Sequence, residues 1–322
     1  MKAIVYERYG SPDVLSLKEI PQPVPKANEV LVKVHAASIN SWDYDMLRGE
    51  PFIVRMWGLF KPKYIIPGAD IAGRVEAVGN QVKKFKPGDE VFGDLCESGW
   101  GGYAEYACGK EDAFAFKPKE MTFEEAAAIP QAGLMALQSI RDKGQVKPGD
   151  KVLINGAGGG VGTFAVQIAK VLGAEVTVVD RESKLHDLRE LGADHTIDYM
   201  RVDFTKNGKT YDLIIDVVSN RSLTQYRKSL NPGGRFLMIG GTMGSIFQAM
   251  VLSRIIGKQG DRDLGMLEYQ ANKGLDDMSM LYQSGKVIPV IDHIYPLAKT
   301  ADAFRYYADG NFRGKVVINI ES

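Results

Sequence analysis

Apolar and polar positions alternate at short range through the first third of the chain, in KAIVYE (2–7), EVLVKVHAAS (29–38), DIAGRVEAVG (70–79) and DEVFG (89–93), with Gly and Pro between the runs. Such runs predict strands, so residues 1–120 read as a β-rich module. The texture changes at MTFEEAAAIPQAGLMALQSIRDKG (121–144), where Thr122 and Glu125 have the spacing of a capping box and the alanines favour helix. From Lys151 onward, strand-like runs (KVLIN, EVTVVD, HTIDY, YDLIIDVV, GGRFLMIGG) take turns with amphipathic helical ones (GTFAVQIAKVLG, SKLHDLRELG, LTQYRKSL). Apolar strands without alternation, separated by helices, predict a parallel sheet covered on both faces. The last part, through GKVVI (314–318), returns to helix and isolated strands. The pattern therefore predicts an α/β protein in which residues 121–268 form an inserted domain. Residues 1–120 and 269–322 together form the other.

Length supports the division, because 322 residues exceed the size at which one hydrophobic core usually stops growing. With 40 basic and 40 acidic residues the chain is formally neutral, which argues against a nucleic-acid or anionic-membrane partner and for a small-molecule ligand. No apolar run is long enough for a bilayer span, and the start MKAIVYERYG has no signal-peptide pattern. Cys96 and Cys108 are too few for a disulfide framework. A cytoplasmic location is expected.

VLINGAGGGVG (152–162) joins a strand to a helix through glycine-rich sequence. A turn of this kind places free N–H groups and the positive end of a helix dipole where a pyrophosphate binds. In the G-x-G-x-x-G register Gly159 and Gly162 hold the last two slots and Ala157 the first; alternatively Gly156, Gly159 and Gly162 recur every third residue. Gly160 and Val161 open the helix between them. Asp180 ends the next strand, within the roughly 20 residues at which a ribose-reading carboxylate is expected. A dinucleotide is therefore predicted, and its kind is left open by the residues themselves. Asp180 favours NAD(H), since a carboxylate repels a 2′-phosphate by roughly 4 kcal/mol per unit charge at about 4 Å. Arg181 and Lys184 favour NADP(H) through charge-assisted bonds worth roughly 1.5–3 kcal/mol each.

The chain resembles the medium-chain dehydrogenase/reductase superfamily, and within it the zinc-free quinone oxidoreductase branch. The matching segments include MKAIVYERYGSPDVL, EVLVKVHAASINSWDYDMLRG, PGADIAGRVEAVG, KPGDEVFG, GGYAEYA, KPGDKVLINGAGGGVGTFAVQIAK, LRELGADHTIDY and GKVVI, spread in order over nearly the whole chain. The resemblance implies a GroES-like catalytic domain carrying an inserted Rossmann domain with a doubly wound parallel sheet. Zinc-dependent members carry a cysteine where this chain has Asn40, and Gly-His-Glu where it has Gly68, Ala69 and Asp70. The lost ligands imply that no metal is held, since catalytic zinc needs three protein ligands.

Without a Lewis acid, an unactivated alcohol is a poor substrate. A quinone or α,β-unsaturated carbonyl delocalises the charge that hydride creates, so modest hydrogen-bond donors suffice. By position in the family Asn40 is the candidate donor facing the nicotinamide. Asp43 matches the branch and also suits a helix N-terminus, while Tyr44, with Trp42 and Trp57, is a candidate aromatic wall. For the cofactor the resemblance adds Lys184 and Tyr199 as holders of a 2′-phosphate, shifting the expectation to NADP(H) with NAD(H) as the alternative. Gly240 and Gly241, in MIGGT (238–242), are expected to pass the nicotinamide. A homodimer through the sheet edge near QGDRDLGML (259–267) is implied. The stretch 48–68 is long for a plain connection and reads as a substrate lid or a helical insertion.

Overall fold

A computed structural model describes residues 1–241 and 261–321, except the side chains of Ile53 and Trp57. The Trp57 side chain, Thr242 of MIGGT, and Gln259 and Gly260 of the expected dimer edge thus lie outside the described residues. The strands are β1 (Lys2–Val5), β2 (Ser16–Glu19), β3 (Glu29–Ile39), β4 (Asp70–Val78), β5 (Glu90–Asp94), β6 (Tyr106–Lys110), β7 (Ala115–Phe116), β8 (Lys151–Asn155), β9 (Glu175–Asp180), β10 (His195–Asp198), β11 (Tyr211–Asp216), β12 (Leu230–Met238), β13 (Asp263–Met266), β14 (Ile291–Pro296) and β15 (Lys315–Asn319). The helices that matter below are α1 (Ser41–Arg48), α2 (Phe123–Ala128), α3 (Pro130–Leu137), α4 (Gly160–Val171), α5 (Glu182–Glu190) and α6 (Leu223–Lys228). Among the described residues no helix is long and apolar enough to cross a membrane.

The chain divides into two compact units, Met1–Leu134 with Gln270–Ser322, and Met135–Tyr269. In the first, strands lie in the order β14-β15-β3-β4-β5-β7, with β6 also paired to β3. Both chain ends build this sheet, because β15 runs antiparallel to β3 from Val316 opposite Ile39 to Asn319 opposite Ala36. Its core gathers Val30, Val32, Val34, Ile39, Ile71, Val91, Phe304, Val316 and Ile318. Burial of each large aliphatic or aromatic side chain contributes roughly 1.5–3 kcal/mol. Helix α2 starts where the capping-box spacing predicts, with Glu125 N–H donating to Thr122 Oγ1 at 3.1 Å and Thr122 N–H to the Glu125 carboxylate at 2.9 Å. It buries Ala126, Ala127 and Ala128 against β3, β4 and β15. For that reason the unit boundary falls inside α3, at 134/135, and not at the expected 121.

The second unit is a parallel sheet in the order β10-β9-β8-β11-β12-β13. Numbered within the unit this is 3-2-1-4-5-6, the doubly wound order. Its central strands β8, β9 and β11 are buried almost throughout, each leaving only one position less than buried. That explains their unbroken apolar runs. The chain reverses its direction of winding between β8 and β11, whose last residues, Asn155 and Asp216, are register partners. In open α/β sheets ligands bind outside the strand ends at such a switch point.

The stretch 48–68 belongs to the first unit and contains one short 3-10 helix, Phe52–Trp57. It carries several exposed apolar side chains, Phe52, Met56, Leu59 and Phe60 among them.

Candidate active site

In the first unit, strand register assembles the polar groups. Ser38 of β3 lies opposite Asp70 of β4, and Asp70 opposite Asp94 of β5. One residue past the end of β3, Asn40 keeps an extended backbone (φ −118°, ψ 164°) and caps α1. Its backbone N–H donates to Asp43 Oδ2 at 2.8 Å, the carboxylate half of a capping box. Its side-chain amide donates through Nδ2 to Asp70 Oδ2 at 2.9 Å. The amide oxygen Oδ1 accepts from Lys315 Nζ at 2.5 Å, and the same ammonium donates to the Ile39 carbonyl at 3.0 Å. Lys315 stands 3.8 Å from Asp70 Oδ2, and both Asp70 oxygens accept from the Gln131 backbone N–H at 3.1–3.2 Å. Asn40 keeps 6% of its surface exposed, whereas Lys315 keeps 2% and Asp43, Asp70 and Asp94 keep none.

Burial dominates the ionisation of this cluster. It pushes the Asp43 carboxyl up to about 7, against the stabilising Asn40 N–H and the Lys315 charge. It also raises Asp70, opposed by Lys315 and reinforced by the neighbouring Asp94 carboxylate. The same desolvation lowers Lys315, against the attraction of Asp70, Asp43 and Asp94.

Two expected catalytic residues change role. Asp43 is fully buried at the third position of α1 and ties down the backbone of Asn40, so it has no surface with which to meet a substrate. Tyr44 packs on the main core, with ring centroids 6.4 Å from Phe304 and 6.1 Å from Tyr307, and the Arg48 guanidinium lies over its ring. It is a packing residue because it sits one position further round the helix, toward the helix Thr300–Ala308. Asn40 keeps its place at the strand end. Lys315 and Gln131 escaped the sequence reading. A lysine ahead of an apolar strand looks like any surface lysine, and a backbone donor leaves no side-chain signal.

In the second unit the glycine turn follows β8. Gly156 has φ +82°, and a Cβ there would lie 2.9 Å from Val218 Cγ2. A Cβ on Gly162 would lie 2.4 Å from Ala157 Cα, so only glycine lets α4 pack this closely on the turn. Gly159 caps α4, whose first residues, Gly160 and Val161, lie in the turn with N–H groups that a helix start leaves without intrahelical acceptors. This bare cradle fits a pyrophosphate.

Asp180 departs from the expectation of a carboxylate held out for ribose. It is 8% exposed and accepts the Gly158 N–H at 2.7 Å and the Arg181 N–H at 2.8 Å, bracing the glycine turn from β9. Lys184 is 7% exposed instead of lying on a solvated helix face. Its stem runs beneath the turn, where a Cβ on Gly158 would lie 2.5 Å from Lys184 Cδ. Arg181 and Tyr199, predicted separately, are brought together, with Arg181 Nε donating to Tyr199 Oη at 2.9 Å. Gly240 and Gly241 follow β12, where a Cβ on Gly240 would lie 2.8 Å from the Val217 carbonyl. At the switch point the buried Asp216 accepts from Asn155 Nδ2 at 3.0 Å, Val218 N–H at 2.9 Å and Ser219 N–H at 2.6 Å, which shapes the loop after β11.

Among the described residues no group of three or more His, Cys, Asp or Glu side chains is placed to hold a metal ion. Residues 26–119 match the family described as alcohol dehydrogenase GroES-like domain, 130–220 that described as alanine dehydrogenase/PNT C-terminal domain, and 191–318 that described as zinc-binding dehydrogenase. The chain is 33% identical to the chloroplast envelope quinone oxidoreductase homolog of Arabidopsis thaliana, over 99% of this chain and 98% of that protein. It is 35% identical to the 2-methylene-furan-3-one reductase of Solanum lycopersicum, over 99% of this chain and 79% of that protein. Among solved structures, a quinone oxidoreductase from Coxiella burnetii superposes with a TM-score of 0.90 at 32% identity, covering 100% of this chain and 99% of that one.

Proposed function

Because the chain belongs to the medium-chain dehydrogenase/reductase superfamily, we propose that it is an NADPH-dependent reductase of quinones and α,β-unsaturated carbonyls that works without zinc. The observation that carries this reading is the Asn40 amide, held at the end of β3 by Asp70 and Lys315. A zinc ion needs three N, S or carboxylate ligands. Here the donor set is an amide already engaged on both sides and a carboxylate that already has an ammonium 3.8 Å away, which does not fit zinc.

The second unit contributes the dinucleotide site through the cradle of Gly156, Gly159, Gly160, Val161 and Gly162. The exposed Arg181 and the Tyr199 hydroxyl beside it supply donors for a 2′-phosphate. Asp180 repels that phosphate less than a bare carboxylate, since two backbone N–H groups already share its charge. Bound NADPH supplies the hydride. Asn40 has one amide N–H engaged by Asp70, and its second N–H is the donor for the acceptor's oxygen. A single neutral donor suffices only if the acceptor spreads its own negative charge, as a hydroquinone anion or enolate does. The names of the quinone oxidoreductase and furanone reductase relatives agree with such acceptors.

The reading is tested by following NADPH absorbance with a panel of quinones, enones and primary alcohols, in wild type and Asn40→Ala. Wild type consumes NADPH with conjugated acceptors, and Asn40→Ala lowers kcat by about 10²-fold while the protein stays folded. Cofactor binding with no consumption for any acceptor, or an unchanged kcat in the variant, contradicts it.

A further inference from the structure

Lys315 and Asp70 lie outside every assigned role, and their contacts with Asn40 are chemically one-directional. With Lys315 and Asp70 held as an ion pair 3.8 Å apart, the carboxylate accepts and the ammonium donates, so Asn40 Nδ2 faces Asp70 and Oδ1 faces Lys315. The reverse flip sets Nδ2 against the Lys315 ammonium and Oδ1 against the Asp70 carboxylate, leaving donor facing donor and acceptor facing acceptor inside a buried site. Asp70 is itself anchored by the Gln131 backbone N–H, and Lys315 by the Ile39 carbonyl, so neither partner follows a rotating amide. One amide hydrogen is consumed by Asp70 and the other is left with a fixed direction.

We propose that Lys315 and Asp70 are positioning residues: they lock the flip state of the Asn40 amide and, through the ammonium on its oxygen, polarise the remaining N–H toward the acceptor. A cation hydrogen-bonded to an amide oxygen draws electron density from the nitrogen and strengthens the opposite N–H as a donor. The inference deepens the reading of Asn40 given above and rests on it. Neither side chain has exposed surface with which to touch an acceptor, since both are almost completely buried.

The test uses two readouts. The first compares kcat and KM for wild type, Asn40→Ala, Lys315→Met, and Lys315→Met combined with Asn40→Ala, with NADPH and a conjugated acceptor. Lys315→Met is expected to lower kcat by about tenfold, less than removing the donor itself, with KM little changed. The double variant is expected to be no slower than Asn40→Ala alone, because the ammonium acts only through the amide. A double variant slower by the product of the two single effects overturns the proposal. The second readout needs no turnover. The Asn40 side-chain amide is identified in nitrogen-15 NMR spectra by its loss in Asn40→Ala, and Lys315→Met is expected to shift its resonances. Unmoved resonances overturn the proposal. If Asn40→Ala keeps wild-type kcat, the reading of Asn40 as donor fails, whereas the NMR result still decides whether Lys315 sets the amide. Should Lys315→Met fail to fold, Lys315→Met with Asp70→Asn, which also removes the carboxylate nearest the lost ammonium, is measured in the same two ways.

Discussion

At the scale of single residues, a buried carboxyl without full ionic compensation makes stability depend on pH. Asp43 is raised from the ordinary carboxylate range to about 7, chiefly by burial. Between about pH 4 and 7 the folded state keeps this proton while the unfolded chain releases it, so this contribution to stability is complete below pH 4 and declines as pH rises through 7. The denaturation midpoint of wild type relative to Asp43→Asn is therefore expected to fall between pH 5 and pH 8, by an amount on the order of 1–4 kcal/mol in free energy. Urea titrations of both proteins at the two pH values check this. Comparing across pH cancels any fixed effect of the substitution on the cap of α1, and an equal difference at both values contradicts the raised carboxyl. The sequence pointed to Asp43 as chemistry or cap, and the structure keeps the cap. Spacing alone did not reveal that the strand register would also draw Asp70, Asp94 and Lys315 around it, from positions up to 272 residues away.

At the scale of elements, the turn after β8 was legible because its constraints are local. Glycines at 156 and 162 are demanded by a left-handed backbone and a close helix approach, and both leave a mark in one short stretch. The cofactor's ribose end was less legible because it depends on side-chain direction. Arg181 and Lys184 are three apart at the start of α5, yet the first adjoins Tyr199 while the second folds under Gly158. Burial of Lys184 moves the expected phosphate contact toward Arg181. Arg181→Ala is accordingly expected to weaken NADPH binding by about 10- to 100-fold and NADH binding much less. Fluorescence titration of both cofactors measures this, and equal losses contradict the assignment of the 2′-phosphate to this pair.

At the scale of the whole molecule, the change from alternating strands to unbroken apolar strands and helices disclosed two kinds of sheet. The order 3-2-1-4-5-6 gives the parallel sheet its switch point, and the return of β15 to β3 lets both chain ends build the other sheet. The boundary near α2 was misplaced because a capping box announces a helix but not the surface on which that helix packs. The polar cluster behind Asn40 joins residues from β3, β4, β15 and α3, and a network of that kind exists only once the chain is folded. On the function proposed above, the acceptor's conjugation, and no bound metal, accommodates the negative charge that hydride transfer creates. The most direct measurement of this is the ratio of kcat/KM for an enone to that for the saturated ketone of the same skeleton, using enzyme dialysed against a chelator. The expected ratio is at least about 10³ and is unchanged by the dialysis. Comparable rates for the two ketones, or activity that disappears with the chelator and returns with zinc, would contradict it.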